Sequence, residues 1–225
     1  DYKFLTPDQV KEIWPLCNTS DLIGAIQHPE DGYIQPADLT QALATGARNK
    51  GAEIYRNTTV IGIKQTKNGW VVETDKGTIE CEHVVSCSGN FARQTGKMVG
   101  LEIPVIPVEH QYIVTEPHPE IVKRKKEGKL EMGVLRDSDS RWYMREEAGG
   151  LILGPYEDGA PCCYLNGPSK DSEYELFQED LERLAPHIEG AIHRVPAFGE
   201  VGVKKVYNGA ICYTPDGNPI VGPAW

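Results

Sequence analysis

Val105-Ile106-Pro107-Val108-Glu109-His110-Gln111-Tyr112-Ile113-Val114-Thr115 is rich in β-branched and aromatic residues. It reads as one long strand. Arg141–Arg145, Leu151–Gly154 and Val201–Tyr207 read the same way. Strands in runs with few helices between them predict an antiparallel sheet with helices on one side, an α+β fold.

Upstream lies a smaller β region. Glu53–Tyr55, Val60–Lys64, Trp70–Thr74 and Thr78–Glu80 alternate in character and are punctuated by Asn68-Gly69 and Lys76-Gly77. These turn dipeptides predict a small antiparallel meander. Leu22–Gln27 and Val84–Ser86 are further short strands. Four segments read as helices. Residues 7–14 carry Thr6 as a cap and Pro7 at the first position. Pro36–Lys50 places Leu39, Ala42, Leu43 and Ala47 on one face. A third follows Cys87-Ser88-Gly89 and runs to about Val99. The last, Asp171–Ala185, aligns Leu176, Phe177, Leu181 and Leu184 and should stop at Pro186. Asp158–Ser169 reads as a surface loop.

Bulk properties narrow the function. The 225 residues hold 23 Lys plus Arg against 33 Asp plus Glu, a net charge of −10. That excess argues against nucleic acid or an anionic membrane as the main partner. The basic run Lys123-Arg124-Lys125-Lys126 reads as a solvated turn of helix. No stretch approaches the ~20 apolar residues of a membrane span. The six Cys show no Cys-x-x-Cys and the six His no His-x-x-x-His, so no metal is expected and free thiols in a reducing compartment are.

The order of segments carries more. Asp31-Gly32-Tyr33-Ile34-Gln35-Pro36 leads into a helix, Gly51-Ala52-Glu53-Ile54 follows, then Val60, the meander, and Val84-Val85-Ser86-Cys87-Ser88-Gly89-Asn90-Phe91-Ala92-Arg93. This succession resembles the flavin-dependent amine oxidoreductases of the D-amino-acid oxidase superfamily. Within it, Ile106–Tyr112, Trp142-Tyr143-Met144-Arg145, Gly154-Pro155-Tyr156-Glu157 and Tyr213–Pro223 are similar to dimethylglycine and sarcosine dehydrogenases, over nearly the whole chain. The Gly-x-Gly-x-x-Gly that holds a dinucleotide in such enzymes is not among the 225 residues. The sequence therefore reads as an internal fragment, and by itself is expected to be inactive.

The resemblance implies FAD as cofactor, with tetrahydrofolate as a further ligand in a domain outside this stretch. It implies contacts to FAD from Val60, from the turn Cys87-Ser88-Gly89 and from Phe91. Here Phe91 replaces a usual Trp, Asn90 a usual aromatic, and Cys87-Ser88 the more common Ala-Ala or Cys-Ala. The His that bonds flavin covalently lies upstream in the family, so no His here takes that role. His110 and Tyr143 match positions lining the substrate cavity and are the catalytic candidates; Arg145 and Tyr156 are candidates for substrate contact. Arg145 shares a strand face with Tyr143 and suits a carboxylate, although an ion pair with Glu109 or Glu146 competes. A core role competes for His110 as well.

The implied division is a partial FAD-binding region with the meander over 20–100, a substrate-binding sheet domain over 101–212, and a return to the FAD-binding domain over 213–225. The implied activity is oxidation of the N-methyl group of dimethylglycine or sarcosine by hydride transfer to FAD, in a soluble intracellular protein of the bacterial cytoplasm or mitochondrial matrix. The substrate is a small N-methylated amino acid, with neither nucleic acid nor membrane as partner. The alternative is a non-catalytic binding or interaction module derived from that fold.

Overall fold

Pro7 opens the first helix of the computed structural model, which describes residues 1–170 and 172–224. Among them the elements are β1 (Lys3–Leu5), α1 (Pro7–Ile13), β2 (Ala25–Gln27), α2 (Pro36–Asn49), β3 (Val60–Thr66), β4 (Gly69–Thr74), β5 (Gly77–Cys81), α3 (Ala92–Lys97), β6 (Ile106–Thr115), α4 (Pro119–Lys126), β7 (Leu135–Asp137), β8 (Trp142–Glu147), β9 (Gly150–Pro155), α5 (Leu181–Arg194) and β10 (Val203–Tyr213). The fold is α+β. The chain divides into two compact units, one of residues 1–33, 109–160 and 175–209, the other of 34–108, 161–174 and 210–225.

The first unit is organised by a five-stranded sheet in the order β10-β6-β9-β8-β7. The pairs β6–β9, β9–β8 and β8–β7 are antiparallel. Ile113 pairs with Leu153, Leu153 with Met144, and Met144 with Leu135, so one apolar row crosses four strands. Ile113, Leu153 and Met144 are fully buried in a core that also takes Trp142, Leu184, Ala191 and Val195. Helix α5 supplies Leu184, His187, Ala191 and Arg194 at intervals of three and four, one stripe of its surface. The amino-terminal α1 is closed by a capping box, Thr6 and Gln9 each satisfying the other's backbone N–H. It buries Val10 in the same core. Arg194 ties the segment after α1 to α5 through Asp21 (2.6 Å) and Asn18 (2.8 Å), and meets Asp137 at 3.1 Å.

The second unit contains the meander β3-β4-β5. Its turns fall where Thr66 pairs with Gly69 and Thr74 with Gly77. Gly69 is required there: it has φ +148°, and a Cβ would overlap the Cys81 carbonyl. The helix α2 forms as its apolar spacing predicts, yet none of its side chains is buried.

Three expectations differ from the structure. Glu53–Tyr55 and Val84–Ser86 are not strands; they find no partner ladder among the described residues, and extended backbone without one keeps its polar groups on water. The last helix begins at Leu181, not near residue 171, where Asp171 lies outside the described residues. Asp180 caps it, its carboxylate accepting from Arg183 N at 3.1 Å. Pro186 lies inside this helix, in its second turn, where it forfeits a single backbone bond, and the buried stripe that continues to Arg194 outweighs that loss. Phe177 instead donates its backbone N–H to Asn208. The basic run does lie in a helix, at the end of α4.

Leu153→Ala should destabilise the chain by about 2–5 kcal/mol. Leu43→Ala on α2, where the side chain is 65% exposed, should stay within about 0.5 kcal/mol. Urea unfolding of the two variants checks the contrast.

Candidate functional site

Strand alternation gives the five-stranded sheet two different faces. On β6, Gln111, Ile113 and Thr115 are buried while His110, Tyr112 and Val114 are half-buried. On β8, Trp142, Met144 and Glu146 are buried while Tyr143, Arg145 and Glu147 are not. Tyr143 pairs with Gly154, and continuing the Ile113–Leu153 register by one residue sets Gly154 opposite Tyr112. Side chains in one cross-strand row share a face. His110, Tyr112, Tyr143 and Arg145 therefore stand on the outer face together, opposite the apolar core.

Gly154 is what lets the face close up. A Cβ there would overlap the Tyr143 ring, so the ring lies across the backbone of β9. Its centroid is 5.9 Å from that of Tyr156, in a tilted arrangement. Tyr112 stacks on Tyr207 with centroids 4.8 Å apart, and Lys205 Nζ sits 4.5 Å from the Tyr207 ring. Burial pushes the phenol pKa values of Tyr143 and Tyr112 up. Burial also pushes the His110 imidazole below its ordinary value, with Glu157 pulling it up and Arg183 pushing it down. At neutral pH the imidazole is thereby biased to its neutral, proton-accepting form.

Arg145 has a different partner from those the sequence suggested. Its Nη1 donates to Glu147 Oε2 at 2.6 Å and to the Glu146 carbonyl at 2.9 Å. Glu147 is two residues along and so on the same face. The Glu146 carboxylate turns into the core and accepts from Met132 N at 2.9 Å. The guanidinium also lies 4.3 Å from the centre of the Tyr33 ring, whose hydroxyl donates to Glu131. Tyr156 is 41% exposed. Tyr33 and Tyr207 joined this face only through the fold, since residues so far apart in sequence carry no shared pattern.

The cofactor candidates lie in the second unit. Val60 opens β3, beside an irregularity at Gly62. Cys87 is exposed. The Ser88 hydroxyl is 2.8 Å from that of Ser86. Gly89, at φ +52°, has nothing among the described residues within 4 Å of a Cβ position and opens a 3₁₀ turn to Phe91. Asn90 Oδ1 is buried without a hydrogen-bond partner among the described residues. Open backbone beside an acceptor in want of a donor fits the hydroxyl-rich edge of a dinucleotide. The pyrophosphate cradle is not among these residues.

An α+β chain whose sheet presents a histidine and tyrosines on one face, with a small-residue turn elsewhere, has the makings of a flavin-dependent oxidoreductase. The family model described as FAD dependent oxidoreductase matches residues 1–225, and the chain belongs to that family. It is 38% identical, over 97% of its length, to the mitochondrial dimethylglycine dehydrogenase of Rattus norvegicus, of which it covers 26%. It is 34% identical, over 98% of its length, to the mitochondrial sarcosine dehydrogenase of Mus musculus, of which it covers 24%. The chain thus spans about a quarter of these relatives. Among solved structures, L-proline dehydrogenase from P. horikoshii superposes with a TM-score of 0.82 at 27% identity, covering all of this chain and 56% of that one. No described helix is long and apolar enough to cross a membrane.

Gly154→Ala should drive the Tyr143 ring off β9 into water. With the desolvation relieved, one tyrosine should ionise at lower pH than before, read as phenolate absorbance against pH. An unchanged titration would place the Tyr143 ring elsewhere.

Proposed function

We propose that this chain forms the substrate side of an FAD-dependent dehydrogenase that oxidises the N-methyl group of dimethylglycine or sarcosine. The observation that carries the reading is the shared outer face of His110 and Tyr143, in a chain whose relatives include enzymes named for those two substrates. Residues 101–212 are assigned to substrate binding, 20–100 and 213–225 to the FAD side. Val60, Cys87, Ser88, Gly89 and Phe91 would hold FAD, together with a pyrophosphate cradle supplied by polypeptide outside these residues. When bound, FAD supplies the two-electron acceptor for the N-methyl carbon.

The chain's own residues handle the proton and the orientation. An ammonium cannot release hydride from its methyl group, so the amine must first lose its proton. His110, kept neutral by burial, accepts that proton. The Tyr143 hydroxyl, uncharged because burial disfavours phenolate, donates a hydrogen bond that orients the substrate. Arg145 is already engaged with Glu147 and Tyr33, which favours a supporting role at the rim; Tyr156 backs the Tyr143 ring. The oxidised product is an iminium, captured by tetrahydrofolate or hydrolysed to formaldehyde.

In a flavin-loaded protein carrying this chain, His110→Ala should lower kcat/KM for dimethylglycine by ~10²–10⁴-fold. The limb of the pH profile that rises as the imidazole deprotonates should disappear. The flavin-to-protein absorbance ratio should not change. Unchanged kinetics, or a parallel loss of flavin, would return His110 to a structural role. A flavin-loaded protein with no turnover on either amine would favour the non-catalytic module.

A further inference from the structure

Gln111, the neighbour of His110 on β6, faces the core and is fully buried. Its backbone N–H donates to Glu157 Oε1 at 3.0 Å and its side-chain amide to Oε2 at 3.2 Å. Arg183 Nε donates to the same Oε2 at 2.8 Å. Arg183 Nη1 is 3.4 Å from Glu109 Oε2, which also accepts from Asn208 Nδ2 at 2.9 Å. The Gln111 amide further exchanges bonds with the backbone of Asp180, the cap of α5. Both chain neighbours of His110, Glu109 and Gln111, are therefore gripped by one network that joins β6, the residue two beyond β9, and the start of α5.

The network is costly for a merely structural device. The Glu157 side chain is 2% exposed and that of Arg183 16%. A buried ion pair rarely stabilises more than apolar packing of the same volume. Arg183 Nη2 and Asn208 Oδ1 are moreover buried with no hydrogen-bond partner among the described residues, and such orphans detract from stability. What the cluster retains is a fixed pair of opposite charges beside His110.

We propose that Glu157 and Arg183 are positioning residues for His110, holding its two chain neighbours, Gln111 by backbone and side chain and Glu109 by its carboxylate, and placing a pair of opposite charges beside it. The catalytic meaning rests on the assignment of His110 to the substrate site; the coupling itself does not. Glu157 raises and Arg183 lowers the imidazole pKa, against a fall caused by burial. The other titratable groups nearby are the phenols of Tyr112, Tyr143 and Tyr156 and the Arg145–Glu147 pair on the outer face, with Glu109 and Asp180 inside the network.

The test is an NMR titration of the histidine ring protons in the 225-residue chain, the His110 signal being identified by its loss in His110→Gln. Glu157→Gln, which keeps the side-chain shape while removing the charge and one of the two acceptor oxygens, should lower the His110 midpoint. Arg183→Met should raise it, and the double variant should return it toward the parent value. Substitutions that only loosened the fold would expose the imidazole and raise the midpoint in both, so a rise or no change in Glu157→Gln overturns the proposal. If Glu157→Gln does not fold, Arg183→Lys decides: with the charge kept no shift is expected, and a shift matching that of Arg183→Met overturns it. Should the NMR shifts occur while His110→Ala leaves kinetics intact, the coupling stands and the substrate-site reading falls.

Discussion

The apolar row formed by buried Ile113, Leu153 and Met144 with partly buried Leu135 fixes the register of the five-stranded sheet, and everything on its other face depends on that register. A slip of one residue would turn Ile113 and Met144 to water and drive His110 and Tyr143 into the core. The apolar face thus does more than stabilise. By committing odd-numbered residues of β6 and even-numbered residues of β8 to the interior, it delivers the imidazole and the phenol to a common surface without any direct bond between them.

The same alternation sets what is legible in the sequence. Alternation within Val105–Thr115 and around Arg141–Arg145 is local, so the strands, their faces and the pairing of Tyr143 with Arg145 could be read directly. The meander was equally plain because Asn68-Gly69 and Lys76-Gly77 sit where its turns are. Pairings between distant segments left no such mark. Nothing near Glu157 announces Arg183, and the competition among Glu109, Glu146 and Glu147 for Arg145 is decided by which carboxylates point outward on the folded strand. The start of α5 was misread because Leu176 and Phe177 continue its period by coincidence, while the true cap, Asp180, draws its importance from Gln111 on another element.

Family membership and geometry bear on different levels of the function. The match over all 225 residues establishes membership of the FAD dependent oxidoreductase family, and the sheet sets His110 and Tyr143 on one face; their use on an amine is the proposed step. A carboxylate as buried as Glu157 could be an encumbrance, since losing one partner of a buried pair costs about 3–5 kcal/mol. Its bonds to Gln111, and through Arg183 to Glu109, make it intelligible as part of the proposed site.

Each compact unit is assembled from three stretches of chain, and the sheet that bears the tyrosines draws on residues from 106 to 213. Its contacts are separated by long loops whose closure entropy must be met before the apolar row rewards it. During synthesis the sheet cannot be completed until β10 has emerged, and until α5 has followed them β6, β8 and β9 wait with their apolar faces uncovered. The passage through that incomplete state, more than the finished fold, is where this chain is most exposed to aggregation.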